Sequence, residues 1–184
     1  FTLLQQPRNM GKGAAVLRGL REATGEYRLF TDCDLAYDLS EVSKVLRKLK
    51  QGHDVVIADR KDPRSTRRVE DKALLYSVQR KMISFGLHQV LKLVDLAQVK
   101  DTQAGLKGFK ASVIDLFHCC EIKGFPFDIE LLAVAKMNNR SIATIPVQYE
   151  IEAASTVMPI PVALDFLKAL KTIRSNLSSG AYIQ

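Results

Sequence analysis

The sequence predicts an α/β domain whose sheet is mainly parallel and covered by helices on its faces. Two observations predict it. Strand-like and helix-like stretches alternate through the first 58 residues, which is the pattern of a sheet wound with helices. The segments between the strands carry apolar residues at helical spacing and end on glycine. With 184 residues, 47% of them hydrophobic and 26% charged, the chain has enough material for one core, and we read 1–184 as a single domain.

The elements follow in order. Phe1 to Gln5 reads as a strand already under way, so the beginning of the domain is expected to be missing. Pro7 to Gly13 is a loop. Ala14 to Ala23 is helical, with Val16, Leu17 and Leu20 on one face, and Gly25 stops it. Tyr27 to Thr31 is a short strand. Ser40 is the expected cap of a helix carrying Val42, Val45, Leu46 and Leu49. Asp54 to Ala58 is a buried strand. Pro63 to Arg68 is a basic loop, and Glu70 to Leu96 is a long helical region. Asp101 to Phe109 is loop or irregular strand, Pro126 to Met137 helix, Ser141 to Tyr149 strand, and Val162 to Leu177 a final amphipathic helix.

The formal charge is +7, and most of it is local: Arg60 to Lys81 holds eight basic and three acidic residues. Such a cluster favours an anionic partner, or forms a solvated helix face. Nucleic acid is disfavoured, because the stretch has few aromatics and no recognised binding motif. Three cysteines (Cys33, Cys119, Cys120) without C-x-x-C spacing fit neither a disulfide framework nor a zinc site. No run of apolar residues is long enough to span a bilayer.

Several residue groups can carry chemistry. Asp32 and Asp34 directly follow a strand, and carboxylates two apart on extended backbone project to one side. Together they can share a hard divalent cation whose other positions go to phosphate and water. Asn9-Met-Gly-Lys-Gly13 opens a helix and offers backbone N–H groups and Lys12 to a phosphate, although it is not a P-loop. Asp101, Gln103 and Lys107 share one glycine-containing segment. Asp128 and Glu130 open a helix, where acids also serve simply as favourable dipole partners. Each group taken singly fits a structural role as well.

The ensemble resembles a known family. N-x-G-K-G-x-A (Asn9 to Ala15), D-x-D-L (Asp32 to Leu35), an arginine after a short apolar strand (Arg60), D-T-Q-x-G-x-K-x-F (Asp101 to Phe109), F-D-I-E-L-L (Phe127 to Leu132), I-P-V (Ile145 to Val147) and a serine-containing tail occur in this order. The series is similar to that of the dolichyl-phosphate mannose and glucose synthases and their bacterial polyprenyl-phosphate relatives, which are family-2 glycosyltransferases. The resemblance implies a GT-A fold, a Rossmann-like mixed, mainly parallel sheet with helices on both faces. The family's first nucleotide-binding strands are not present, so the chain reads as N-terminally truncated.

The resemblance also implies roles. Asp32 and Asp34 hold Mg²⁺ or Mn²⁺ on the donor diphosphate. Arg60 and Arg80 bind the lipid phosphate, and Gln103 and Lys107 lie near the transferred sugar and phosphates. Asp128 completes the catalytic set, and Lys12, Asp101, Glu130 and Ser155 contact substrate. The implied partners are a GDP- or UDP-hexose donor, a polyprenyl-phosphate acceptor and a membrane surface, with the protein on the cytoplasmic face of that membrane. Two other readings stay open: a family-2 transferase with a polysaccharide or other hydroxyl acceptor, and a non-enzymatic basic module that binds anions or lipid.

Overall fold

A computed structural model describes residues 2–34, 36–69, 99–151 and 159–183. The expected 70–96 helix, Arg80 and Ser155 lie outside the described residues. The remaining elements are α1 (Lys12–Glu22), β1 (Tyr27–Thr31), α2 (Leu39–Lys50), β2 (Val55–Asp59), β3 (Thr66–Val69), β4 (Leu106–Lys110), a short helical turn at Ala111–Ile114 leading into a 3₁₀ segment at Asp115–Cys119, α3 (Phe127–Met137), β5 (Ile142–Pro146), β6 (Gln148–Ile151) and α4 (Pro159–Ser179).

The main sheet runs in the order β1-β4-β2-β5. β4 is antiparallel to both β1 and β2, while β2 and β5 are parallel. β1, β2 and β5 therefore share one direction, and β4 is inserted against it. β1 and β2, consecutive in the chain, are thus separated in the sheet by β4. β4 supplies ladder partners to both at once: Lys107 lies opposite Phe30 on one side and Ile57 on the other. A second, two-stranded parallel ribbon pairs β3 with β6. The strand expected over Ser141 to Tyr149 is thus divided at Val147 between the two sheets, and part of the expected basic loop is β3.

Alternation along β4 sets the two helix layers. Gly108 faces α2 so closely that a Cβ there would meet Val45 Cγ1 at 2.5 Å and Leu49 Cδ1 at 3.0 Å. Its neighbours Lys107 and Phe109 face the other way. Phe109 stacks on Phe30 at 6.3 Å, and Phe30 in turn meets Phe127 of α3 at 6.0 Å. α3 and α1 cover that face, and α2 covers the opposite one. α4 packs on α3 with Phe166, Ala169 and Ile173 buried. Among the described residues no helix is long and apolar enough to cross a membrane.

Two local expectations are corrected. Residues 2–5 form no strand, and Leu3 is exposed, because no strand of the described residues lies alongside to complete a ladder. The cap of α2 is Asp38 rather than Ser40: its carboxylate accepts the Ser40 N–H at 2.8 Å. A carboxylate in that position stabilises a helix by about 1 kcal/mol.

Candidate active site

The carboxyl end of β1 delivers Asp32, and the amino end of α1 delivers Lys12. Lys12 Nζ lies 2.7 Å from Asp32 Oδ1 and 2.9 Å from Oδ2, straddling the carboxylate. The same ammonium sits over the Phe125 ring, 5.1 Å from its centroid, and 5.9 Å from that of Phe127. Asp34 is exposed, and its Oδ1 accepts the Ala36 N–H at 3.1 Å in a local turn. Asn9 Oδ1 accepts the Gly11 N–H and shapes the turn into α1.

The 101–107 segment ties the site together. The Asp32 N–H donates to the Gly105 carbonyl at 2.9 Å. Gly105 also backs the Asp32 side chain so closely that a Cβ would overlap the carboxylate, so this position requires glycine. The Gly105 N–H donates to the Tyr37 hydroxyl at 3.2 Å. Burial pushes the Tyr37 phenol up to about 12, and it therefore stays protonated. Tyr37 was not legible as a site residue: one tyrosine in a loop carries no pattern. The exposed Phe125 was missed for the same reason.

Asp101, at the start of the segment, is buried and bound by Arg60 in a two-pronged contact. Nε donates to Oδ2 at 2.7 Å, Nη2 to Oδ1 at 2.8 Å, and the Arg60 backbone N–H adds a third bond at 3.0 Å. Burial alone would raise the Asp101 carboxyl, but the Arg60 bonds and charge outweigh it and hold it below its ordinary value. Arg60 is raised correspondingly by Asp101, against its own burial. Arg60 Nη1 has no hydrogen-bond partner among the described residues.

Lys107 and Asp128 are the innermost pair. Nζ and Oδ1 are 2.6 Å apart, with both side chains shut off from water. Lys107 Nζ also donates to the Ala104 carbonyl at 2.5 Å and lies over the Phe30 ring. Burial pushes the Asp128 carboxyl up and the Lys107 ammonium down, and the mutual attraction of the two charges opposes both. Within this segment, Gln103 Nε2 and Thr102 Oγ1 are buried without hydrogen-bond partners among the described residues.

The structure thus brings together Lys12 with Asp32, Arg60 with Asp101, and Lys107 with Asp128, all along one segment. Glu130 stands apart. Its Oε2 accepts the backbone N–H groups of Glu121 and Ile122 at 3.0 and 2.7 Å, and its Oε1 accepts the Tyr182 hydroxyl at 2.8 Å. Two residues on from Asp128, it lies on a different side of α3. There it joins the 121–126 loop to the end of the chain.

Asp32, half-buried and held by Lys12, and Asp34, exposed in the turn that follows the strand rather than on extended backbone, fit a hard divalent cation in donor chemistry, as carboxylate oxygens at a strand end. Among the described residues no group of three or more His, Cys, Asp or Glu side chains gathers around one point. Two carboxylates would therefore leave most coordination positions to a bound diphosphate and water.

Comparison with known proteins places these features. Residues 1–117 match the glycosyl transferase family 2 model. A dolichyl-phosphate beta-glucosyltransferase of Trichomonas vaginalis is 29% identical over 185 residues, covering 95% of this chain and 53% of that protein. The Saccharomyces cerevisiae dolichyl-phosphate beta-glucosyltransferase is 27% identical over 195 residues, covering 99% and 57%. The chain spans about half the length of the curated relatives it matches. Among solved structures, Mycobacterium tuberculosis glucosyl-3-phosphoglycerate synthase superposes with a TM-score of 0.63 at 18% identity, covering 93% of this chain and 56% of that one. The same synthase has been crystallised with Mn²⁺ and UDP-glucose, and that structure superposes with a TM-score of 0.55 at 19% identity, covering 99% and 57%. At such identity the likeness speaks for the fold. Because the family model takes in more than half of the chain and the sheet order carries the GT-A-like architecture, this chain belongs to glycosyl transferase family 2.

Proposed function

We propose that this chain forms the catalytic part of an inverting transferase that moves glucose from UDP-glucose to a dolichyl or similar polyprenyl phosphate at the cytoplasmic face of a membrane. The relatives named above support the phosphate acceptor and glucose. The synthase crystallised with UDP-glucose supports the donor. The basic surplus between Arg60 and Lys81 suits an anionic membrane surface, where each such residue contributes about 1 kcal/mol.

The observation that carries the choice of acceptor is the state of Asp128. A hydroxyl acceptor needs a carboxylate base within reach of its proton. Asp128, the candidate at the head of α3, is 2% exposed and paired to Lys107. A phosphate acceptor needs no such base, because its oxygen is already anionic near neutral pH. In the reaction that oxygen attacks the anomeric carbon from the face opposite the diphosphate. The new C–O bond forms as the bond to the diphosphate breaks, and UDP leaves with the electron pair.

The residues divide the work between two anions. Asp32 and Asp34 would hold Mg²⁺ or Mn²⁺, whose chemistry there is charge neutralisation on the leaving diphosphate. Lys12, at the amino end of α1, adds positive charge on the donor side. Arg60, oriented by Asp101, is proposed to offer acceptor phosphate its Nη1, which has no hydrogen-bond partner among the described residues; Arg80 is proposed for the same anion, and Ser155 for a substrate contact. Lys107 fixes the Ala104 carbonyl and so the course of the segment that carries Gln103, proposed as the contact to the transferred sugar.

Incubating the protein with dolichyl phosphate and each of UDP-glucose, GDP-mannose and UDP-galactose, with and without Mn²⁺, tests this reading. Metal-dependent formation of a glucosyl lipid from UDP-glucose is the expected result. Transfer from GDP-mannose in preference would overturn the donor assignment.

A further inference from the structure

Resting on the reading that Asp32 and Asp34 hold a divalent cation, we propose that Lys12 is the built-in counter-ion of that site: it occupies the Asp32 carboxylate until a nucleotide diphosphate draws it away, which makes cation binding depend on nucleotide. Lys12 Nζ contacts both oxygens of Asp32, at 2.7 and 2.9 Å. A magnesium-sized ion needs the same oxygens at about 2.1 Å. An ammonium and a divalent ion on one carboxylate would repel each other at close range, so one must yield.

The geometry singles out the lysine as the group that moves. Asp32 is the shorter and better-anchored partner: its carboxylate lies where a Cβ of residue 105 would be, tucked against Gly105, and its backbone N–H is bonded to the Gly105 carbonyl. Lys12 has a long, flexible stem and is partly exposed, at 23%. On its other side it meets the faces of Phe125 and Phe127, 5.1 and 5.9 Å away. A ring face attracts a cation without fixing the direction of its N–H groups. The ammonium can therefore turn from Asp32 toward a diphosphate and keep its aromatic support.

The energetic consequence is a coupling between two ligands. Without nucleotide, a cation has to displace an ammonium that has nowhere comparable to go. With a diphosphate present, the displaced ammonium gains an anionic partner. Nucleotide then tightens the cation, and by linkage the cation tightens nucleotide by the same factor.

Binding of Mn²⁺ alone, and of Mn²⁺ with UDP, read by the electron paramagnetic resonance of free Mn²⁺ on the full chain, tests this. Lys12→Met should bind Mn²⁺ alone about ten-fold more tightly than the parent, and the tightening by UDP should shrink by about ten-fold, the effect of one charge-assisted contact. Lys12→Arg should keep the parent's pattern; Lys12→Gln repeats the charge removal should Lys12→Met fold poorly. The proposal is overturned if both neutral variants bind Mn²⁺ alone no more tightly than the parent while Asp34→Asn abolishes Mn²⁺ binding. If Asp34→Asn leaves Mn²⁺ binding intact, the cation site itself is misassigned and the proposal falls with it.

Discussion

Lys107 Nζ and Asp128 Oδ1 lie 2.6 Å apart, and neither side chain is open to water. Lys107 comes from the antiparallel strand inserted into the sheet, and Asp128 from the first turn of α3. Their contact joins strand to helix directly beneath the segment that backs Asp32. Charges taken out of water in this way depend on each other, since burial penalises each alone.

Removing one partner should therefore be costly. Lys107→Met leaves a buried carboxylate without its cation, and a loss of about 3–5 kcal/mol is expected. The double variant Lys107→Met/Asp128→Leu should recover a large part of that loss. Urea unfolding of the two singles and the double measures the coupling. Additive losses would show that the pair does not act as a unit.

Gly105→Ala should act on binding more than on stability. The added methyl overlaps the Asp32 carboxylate, whose displacement should abolish joint binding of Mn²⁺ and UDP. The stability loss should stay at about 1–3 kcal/mol, as for a modest overpacking. Calorimetric titration alongside thermal melting separates the two effects. Undiminished binding would show that Asp32 tolerates being moved.

The residue types of this site were legible in the sequence, and their pairings were not. Asp32, Lys12, Asp101, Lys107 and Asp128 stand in recognisable local patterns. That Lys12 closes on Asp32, or that Arg60 is engaged by Asp101, depends on tertiary proximity between distant segments. β1, α1 and α3 were readable because periodicity and helix-stopping residues are local signals. β4 was readable only as loop or irregular strand, because Leu-Lys-Gly-Phe-Lys carries two charges and a glycine, and its buried lysine is tolerable only with tertiary partners: Asp128, the Ala104 carbonyl and the Phe30 ring. Residues 2–5 misled in the opposite sense: an apolar run reads as a strand, but a strand exists only with a partner. Glu130 was grouped with Asp128 by sequence spacing, whereas helix geometry sends the two to different sides.

The Arg60–Asp101 contact predicts an acid-sensitive component of stability. Asp101 is held below its ordinary value of 3.8 in the folded protein. Its contribution is therefore complete above the unfolded value and is lost as pH falls below 3.8 through the folded one. Unfolding free energies measured between about pH 5 and about pH 2.5 should fall less steeply in Asp101→Asn than in the parent. At neutral pH that variant should be about 2–3 kcal/mol less stable, below the cost for a wholly buried pair because Arg60 reaches solvent. Parallel pH profiles would remove Asp101 as the titrating group.

Glu130 and Tyr182 should matter to the fold and not to substrate. Tyr182→Phe removes the hydroxyl that donates to Glu130 Oε1 inside the protein, and a loss of about 1–3 kcal/mol follows from the unpaired oxygen. KM for donor and acceptor should remain at parental values. A raised KM at unchanged stability would bring this end of α3 into the substrate site.

Transfer to a phosphate oxygen, as proposed for this chain, needs no carboxylate base. Offering the enzyme UDP-glucose with either dolichyl phosphate or dolichol, the matching alcohol, in otherwise identical vesicles and with Mn²⁺ present, tests it most directly. Glucosylation of the phosphate and none of the alcohol is the expected result. Glucosylation of dolichol at a comparable rate would contradict it, because the alcohol can react only if a base such as Asp128 is available.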